Sequence, residues 1–254
     1  MWYGRPGADT RESLGDRSGT IACVEHIKLD EQPAELHWIR PPRQRRTHES
    51  LERLLDVAEN LLRDKHFDDI HVREIALRAG TSVAAFYRRF TDKDALLHAL
   101  HERRCEEAFA TADDALSATR WRGATIEEIL SAIFPFMIEV VHSSESLDRV
   151  IYQRAMSDER MRERSMKLNR HVVSGISVLL LDRESEIRHP DPKTAVSFAL
   201  IQAAALLIHY YTAGIRDIGP APMSDSQIAR ELTTSCLAYL GIPISNSSTE
   251  GDQP

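Results

Sequence analysis

The side chains best suited to reading a nucleic acid lie in a short segment around Arg88. Ala84, Ala85 and Arg88 share one face of a helix if the apolar residues between them are buried. Small side chains allow a helix to approach base pairs closely, and an arginine can form a bidentate pair with guanine in the major groove of DNA. The segment therefore has the residue types of a helix that reads base pairs.

Two short helices are predicted to position this face. The first has apolar residues at helical spacing and ends at Gly80, whose tolerance of positive φ suits a sharp turn. Ser82 is a good N-cap for the second, over residues 82–89, which we expect to bury Val83, Phe86 and Phe90. Two helices joined by a tight glycine turn form the helix-turn-helix pattern, in which the second helix lies in the major groove.

Longer helices flank this pair. An apolar stripe predicts a helix after Arg46, capped by Thr47, and consists of Leu51, Leu54, Leu55, Ala58, Leu61 and Leu62. Thr91 and Asp94 have the spacing of a capping box and predict a further helix that runs to Leu116.

The second half of the chain is predicted to be helical as well. Its helix-start signals are Thr125 with Glu128, Ser157 before two acidic residues, Asp191 before Pro192, and Ser224 with Gln227. They predict helices near 125–142, 146–156, 158–182, 192–214 and 225–240, with a kink in the first at Pro135.

The predicted fold is all-α. An N-terminal three-helix helix-turn-helix DNA-binding domain is joined by a fourth helix to a C-terminal helical domain. The expected divisions are a flexible extension at 1–39, a DNA-binding domain at 40–100, the C-terminal helical domain at 101–242 and a disordered tail at 243–254.

Charge is unevenly distributed along the 254 residues. The chain has 32 Lys and Arg against 39 Asp and Glu, a net charge of −7, which excludes a wholly basic nucleic-acid protein. Residues 40–104 hold 14 Lys and Arg against 11 Asp and Glu, a balance of +3, so the remainder carries −10. Attraction to DNA is therefore expected on one surface only.

The cysteines and the N-terminus indicate a reducing, cytoplasmic setting. Cys23, Cys105 and Cys236 are odd in number and widely spaced, so they predict neither a disulfide framework nor a zinc cluster. The first residues lack the apolar core of a signal peptide.

The run from Ile75 to Leu96 resembles the DNA-binding domain of the tetracycline-repressor (TetR) family. The matching residues are Ile75, Ala76, Ala79, Gly80, Ser82, Tyr87, Phe90, Lys93 and Leu96. The resemblance is specific over residues 46–100 and only architectural beyond. It implies a C-terminal domain that holds an inducer and dimerises through its last two long helices, here those near 192–214 and 225–240.

The resemblance also implies roles for individual residues. Tyr87 and Lys93 are expected to contact phosphates, Thr81 and Ser82 the DNA backbone, and Arg73 bases or phosphates. The expected base-reading positions are Val83, Ala84, Ala85 and Arg88, although a core position is an equal alternative for Val83, and Arg46 belongs to a basic arm with Arg43 and Arg45. Thr81 departs from the family pattern, which more often has a small apolar residue there.

One segment has the length of a membrane span. Residues 194–215 contain no charged side chain over 22 positions. Gln202 and His209 would be costly in lipid, and Asp191 with Pro192 starts the helix as in a soluble protein. We therefore interpret the segment as a buried helix rather than a membrane anchor.

The C-terminal half supplies candidates for an apolar effector pocket with a few polar groups. They are Phe134, Met137, His142, Tyr152, Met156, His171 and His209, although aromatic residues and methionines at helical spacing are usually core. His98, His101 and Cys105 share a helix face, yet no fourth ligand is evident, so we predict neither a metal site nor a cofactor. Nucleophile and nucleotide-binding motifs are absent from the sequence, which predicts a protein that is not an enzyme.

These observations predict a homodimeric, cytoplasmic transcriptional regulator on a near-palindromic operator. We expect a repressor that a small, largely apolar effector releases from double-stranded DNA. Two alternatives remain open: an activator that needs no effector, and a helical enzyme or ligand carrier without DNA-binding activity.

Overall fold

The computed structural model describes residues 45–212 and 221–244, which belong to one compact unit. These residues form nine α-helices, two short 3-10 turns and no β-strand, which confirms the all-α prediction. The helices are α1 (Arg45–Leu62), α2 (Val72–Arg78), α3 (Val83–Tyr87), α4 (Lys93–Ala115), α5 (Ile126–Ser143), α6 (Glu145–Ala155), α7 (Glu159–Leu181), α8 (Pro192–Thr212) and α9 (Asp225–Leu240). The predicted extension at 1–39, the end of the helix predicted to reach 214, and the tail beyond residue 244 lie outside the described residues.

Three of the predicted helix starts are confirmed. Thr125 with Glu128 and Ser224 with Gln227 form capping boxes at the starts of α5 and α9. Pro192 is the first residue of α8. Each signal is a local hydrogen-bonding pattern within one turn, so it can be recognised without knowledge of the tertiary fold.

Three other predicted caps are wrong. Thr47 is the third residue of α1, because the helix already begins at Arg45. Helix α4 is capped by Asp92 rather than Thr91, since the Asp92 carboxylate accepts the Ala95 N–H at 2.7 Å. Likewise Asp158, not Ser157, caps α7. In both cases an aspartate one residue later accepts the backbone N–H instead.

The helices enclose two apolar cores. The first is built from α5, α7, α8 and α9 around residues such as Phe134 and Tyr211. The second lies beneath α1 to α4 and also includes Leu147, Ile151 and Met161 from α6 and α7. The N-terminal helices therefore share their core with the C-terminal half, and α4 runs through the boundary predicted at residue 100.

Helix α8 is long and apolar enough to cross a membrane by length and composition. However, 44% of its most apolar 18-residue stretch is buried inside the protein. Ala195, Val196, Ala199 and Leu200 pack into the C-terminal core, as a core helix would. Pro135 lies inside α5, with both neighbouring turns helical.

Candidate DNA-binding surface and effector region

The turn between α2 and α3 has the geometry that the helix-turn-helix pattern requires. Gly80 has a φ of 63°, and a Cβ there would meet no atom within 4 Å, so the backbone conformation alone explains the glycine. The Thr81 N–H donates to the Ala76 carbonyl at 2.9 Å, closing the end of α2. Ser82 then caps α3 by accepting the Ala85 N–H at 3.1 Å.

Two phenylalanines hold α3 on the core. Phe86 and Phe90 are fully buried, with ring centroids 5.1 Å apart, as predicted. Val83, which we expected to be buried with them, is 38% exposed. Val83 is the first of the five residues of α3 and lies one turn before the buried Phe86.

Most of the predicted reading residues on and beside α3 are exposed. Tyr87 is 53% exposed, with its ring edge against Phe86 at 5.4 Å. Most of the predicted base-reading and backbone positions of α3 are exposed, namely Ser82, Val83, Ala84 and Arg88, while Thr81 and Ala85 are half-buried. Arg73 is exposed on α2. Arg46 lies in the first turn of α1, but its side chain lies outside what the structure describes.

Lys93 has a different environment from the one we expected. Its ammonium donates to the carbonyls of Phe67, Asp68 and Ile70 at 2.6, 3.1 and 3.1 Å and lies 4.5 Å from the centre of the Phe67 ring. Because an ammonium has three donors, a phosphate contact requires the exchange of one of these bonds. The Asp92 carboxylate also occupies the start of α4, where we expected backbone amides to favour a phosphate.

The predicted effector residues do not form one group. Phe134 is buried in the C-terminal core, and Met137 is half-buried against it. Tyr152 and His209 lie together, with the hydroxyl 3.5 Å from Nδ1. By contrast, Met156 is 75% exposed. His171 lies on the α7 surface, 2.7 Å from an Asp113 carboxylate oxygen.

Two of the clefts on the described surface bear on the effector prediction. One, of about 410 Å³, lies between α1 and the α5–α6 turn, and His142 is the single predicted effector residue that lines it. Nε2 of that histidine lies 3.2 Å from an Asp225 carboxylate oxygen. The other, of about 380 Å³, is lined by residues such as Thr125 and Arg183 and by none of the predicted effector residues. Neither cleft is an enclosed apolar pocket.

His101, Cys105 and Cys236 are all buried. Among the described residues, no three His, Cys, Asp or Glu side chains are arranged to hold a metal ion. Nδ1 of His101 lies 3.3 Å from Arg164, and its Nε2 lies 3.1 Å from the Ser165 hydroxyl. Burial raises the pKa of the Cys105 and Cys236 thiols to about 11, so both stay protonated near neutral pH.

A turn-linked helix pair with an exposed reading surface, built onto a helical C-terminal domain, defines a helix-turn-helix DNA-binding protein. The family profile of bacterial regulatory proteins of the tetR family matches residues 54–100, which span this surface. Residues 54–100 therefore resemble the DNA-binding domain of tetR-family regulators, and the solved structures below share the fold of the chain.

Several solved structures share the fold at low sequence identity. A TetR-family regulator from Mesorhizobium loti is 19% identical, covers 78% of this chain and 98% of its own, and has a TM-score of 0.61. The regulator PfmR from Thermus thermophilus is 20% identical over 73% and 97% of the two chains, with a TM-score of 0.55. FadR from Bacillus subtilis, solved with stearoyl-CoA, is 14% identical over 74% and 98%, with a TM-score of 0.56. No curated protein sequence matches the chain.

Proposed function

We propose that the protein is a cytoplasmic, homodimeric transcriptional repressor that binds a near-palindromic operator and is released by a small, largely apolar effector. The observation that carries the DNA-binding part is the exposed patch of Val83, Ala84, Tyr87 and Arg88 on a correctly capped α3. Tyr87 can donate to a phosphate, and Arg88 can pair with a guanine.

The dimer is supported by an uncharged exposed face on α8. Phe198, Ile201 and Leu206 are 46%, 59% and 40% exposed along this face. Tyr239 of α9 extends it, with its ring 5.4 Å from that of Phe198. A soluble protein rarely leaves such large apolar side chains grouped on its surface, so a second copy is the proposed cover. Ile201→Glu should give a monomer by light scattering, whereas Glu231→Gln on α9 should remain a dimer.

The effector is proposed to act on the C-terminal domain. Tyr152 and His209 supply polar groups beside apolar helices, and FadR, which shares this fold, binds stearoyl-CoA. A ligand can shift the equilibrium only by its differential affinity for the two states. Stearoyl-CoA is therefore a reasonable first probe: we expect it to weaken operator binding, and Tyr152→Ala to reduce that effect. If fatty acyl compounds leave operator binding unchanged, this effector class is wrong while the DNA-binding proposal stands.

DNA binding can be tested by selecting duplexes from a random pool with the full-length protein. A near-palindromic consensus is expected, since a two-fold protein binds a two-fold site. Failure to enrich any sequence would contradict the proposal.

Two variants and a control then assign the contacts. Arg88→Ala should relax selection at a guanine by about 1–3 kcal/mol, whereas Tyr87→Phe should weaken binding across all sequences. Arg120→Ala is the matched control, because this exposed arginine pairs with Asp114 at the end of α4 that lies away from α3. Unchanged selection by Arg88→Ala would show that Arg88 does not read a base.

A further inference from the structure

Helix α4 carries two adjacent arginines that bind different parts of the molecule. The Arg103 guanidinium contacts three carboxylates of α1, those of Glu52, Asp56 and Glu59, at 3.2, 2.6 and 2.7 Å. These acids share one face of α1, where they would repel one another without a cation. Arg103 is only 18% exposed, whereas the Asp56 carboxylate is 60% exposed, so the guanidinium lies at the edge of the core and its acidic partners lie at the surface.

The neighbouring Arg104 points to the C-terminal half. Its Nε donates to the buried Ser144 hydroxyl at 2.8 Å, and its guanidinium lies 3.5 Å from the Asp148 carboxylate. Ser144 also donates to Asp148 at 2.8 Å, which ties α4 to the turn between α5 and α6. Burial raises the pKa of Asp148, and Arg104 opposes that effect.

The two contacts lie on one continuous helix. Helix α1 packs on α4 through the second apolar core, the one beneath α1 to α4. Helices α2 and α3 pack on that same core through Ile75, Phe86 and Phe90. The angle between α1 and α4 therefore helps to set where the reading patch lies. Arg104 fixes α4 against α5 and α6, whose Leu147 and Ile151 also enter that core.

We propose that Arg103 and Arg104 are positioning residues that together fix the orientation of the DNA-reading helices relative to the C-terminal domain. This pair, the α4 arginine joint, does not touch DNA. The inference rests on the proposed function, because the joint matters when two reading patches must meet two half-sites at once. Binding of the second patch is then intramolecular and depends on its placement.

Operator binding tests the Arg103 half of the joint. Arg103→Gln should lower affinity for the selected full operator by about tenfold while changing affinity for a single half-site by less than about twofold. It should also tolerate half-sites moved by one or two base pairs better than the original protein does, because its reading patches are less firmly placed. A parallel loss on full and half-sites would show that Arg103 only stabilises the DNA-binding domain and would overturn the proposal.

Two further variants separate position from stability. Arg103→Lys should rescue only part of the affinity, since a single ammonium cannot match a planar guanidinium that contacts three acids. Adding Glu52→Gln, Asp56→Asn and Glu59→Gln to Arg103→Gln removes the repulsion along α1 and should recover stability, but it should not recover the preference for the full operator over a half-site, because the contacts that hold α4 on α1 stay absent. Arg149→Gln is the control, since that arginine makes an exposed pair with Glu145 inside α6.

A distance measurement tests both halves without DNA. Nitroxide labels at Leu77→Cys on α2 and Glu139→Cys on α5 report the angle between the two halves, in a Cys23→Ser background diluted with unlabelled protein. Arg103→Gln, Arg104→Gln and the milder Ser144→Ala should each broaden the distance distribution, and Arg149→Gln should not. Superimposable distributions in all variants would overturn the joint, whereas a protein with the expected broadening and no selected operator would overturn the proposed function alone.

Discussion

The proposed DNA-reading patch and the proposed effector region differ in how their residues are brought together. The residues of the patch lie within one short segment, from Ser82 to Arg88, and fold onto one exposed surface. The predicted effector residues come from four helices, and the structure places Phe134 in the core and His171 on the surface. A surface on one short helix follows from local sequence, whereas a pocket depends on how distant helices pack.

The two regions are nevertheless parts of one folded unit. The core beneath the reading patch contains Leu147 and Ile151 from α6 and Met161 from α7. The α4 arginine joint connects the same elements through polar contacts. The difference therefore concerns how the sites are assembled, and we expect both regions to respond alike to damage in their cores.

The largest expected effects test whether the two regions lose the same stability when their cores are damaged. Phe86→Ala and Phe134→Ala each empty a fully buried site, one under each region, and should each cost about 3–5 kcal/mol in the free energy of unfolding. Because α6 and α7 contribute to both halves, urea denaturation followed by circular dichroism should show a single transition for both variants.

Leu77→Ala is the control for these cavities. Leu77 is 78% exposed, so its loss should change the free energy of unfolding by less than about 0.5 kcal/mol. Two separate transitions in Phe86→Ala would show that the DNA-reading helices unfold independently. The two halves would then be autonomous domains.

The next effect arises where the regions meet, at His101 between α4 and α7. Burial, together with the nearby Arg164, lowers the pKa of His101 to about 3. Nδ1 must accept from the Arg164 guanidinium, which only donates, so the proton lies on Nε2, facing Ser165. The imidazole is therefore neutral in the folded protein above about pH 3, whereas in the unfolded chain it gains a proton below about pH 6.5.

Stability should consequently fall with acidification. The contribution is fully present above the unfolded-state pKa of about 6.5 and is lost towards pH 3, at up to about 1.4 kcal/mol per pH unit. Urea midpoints measured between pH 7.5 and 5 should fall less steeply for His101→Gln than for the original protein. Parallel pH profiles would mean that His101 is not buried in its neutral form.

The sequence predicted most of the fold because its signals are local. The capping boxes at Thr125 and Ser224 and the glycine turn at Gly80 each need only one turn of chain. The errors at Thr91 and Ser157 have one cause, since an aspartate directly after each residue caps the helix instead. The spacing that predicts a helix start does not decide which of two adjacent polar residues accepts the hydrogen bond.

The site was predicted less completely because some contacts span distant parts of the chain. Nothing in the run around Lys93 shows that its ammonium meets carbonyls 23 to 26 residues earlier. The contact of Arg103 does have a signal in the sequence: Glu52, Asp56 and Glu59 repeat on one face of α1, where a cation from a neighbouring helix would relieve their mutual repulsion.

Lys93 sharpens the distinction between a residue that contacts DNA and one that supports the reading patch. Lys93→Met leaves three carbonyls without their donor and should lower the free energy of unfolding by about 1–3 kcal/mol. If the ammonium stays on the carbonyls in the complex, the salt dependence of operator binding should be unchanged. A slope reduced by about 0.9 would show that the ammonium contacts a phosphate. Tyr87→Phe, which removes no charge, is the matched control for this slope.

The smallest effects compare helix caps between the two regions. Asp92→Ala removes the acceptor for the Ala95 N–H at the start of α4, and Thr125→Ala removes the corresponding acceptor of α5, so each should cost about 1 kcal/mol. Thr91→Ala should cost only a few tenths of a kcal/mol, because its hydroxyl contacts the Asp92 carboxylate and no backbone amide of the helix. Urea denaturation of the three variants at pH 7 measures the order. An equal loss for Thr91→Ala and Asp92→Ala would mean that the two side chains cap α4 jointly, and the start of the DNA-reading domain's last helix would then depend on a pair of residues, as that of α5 does.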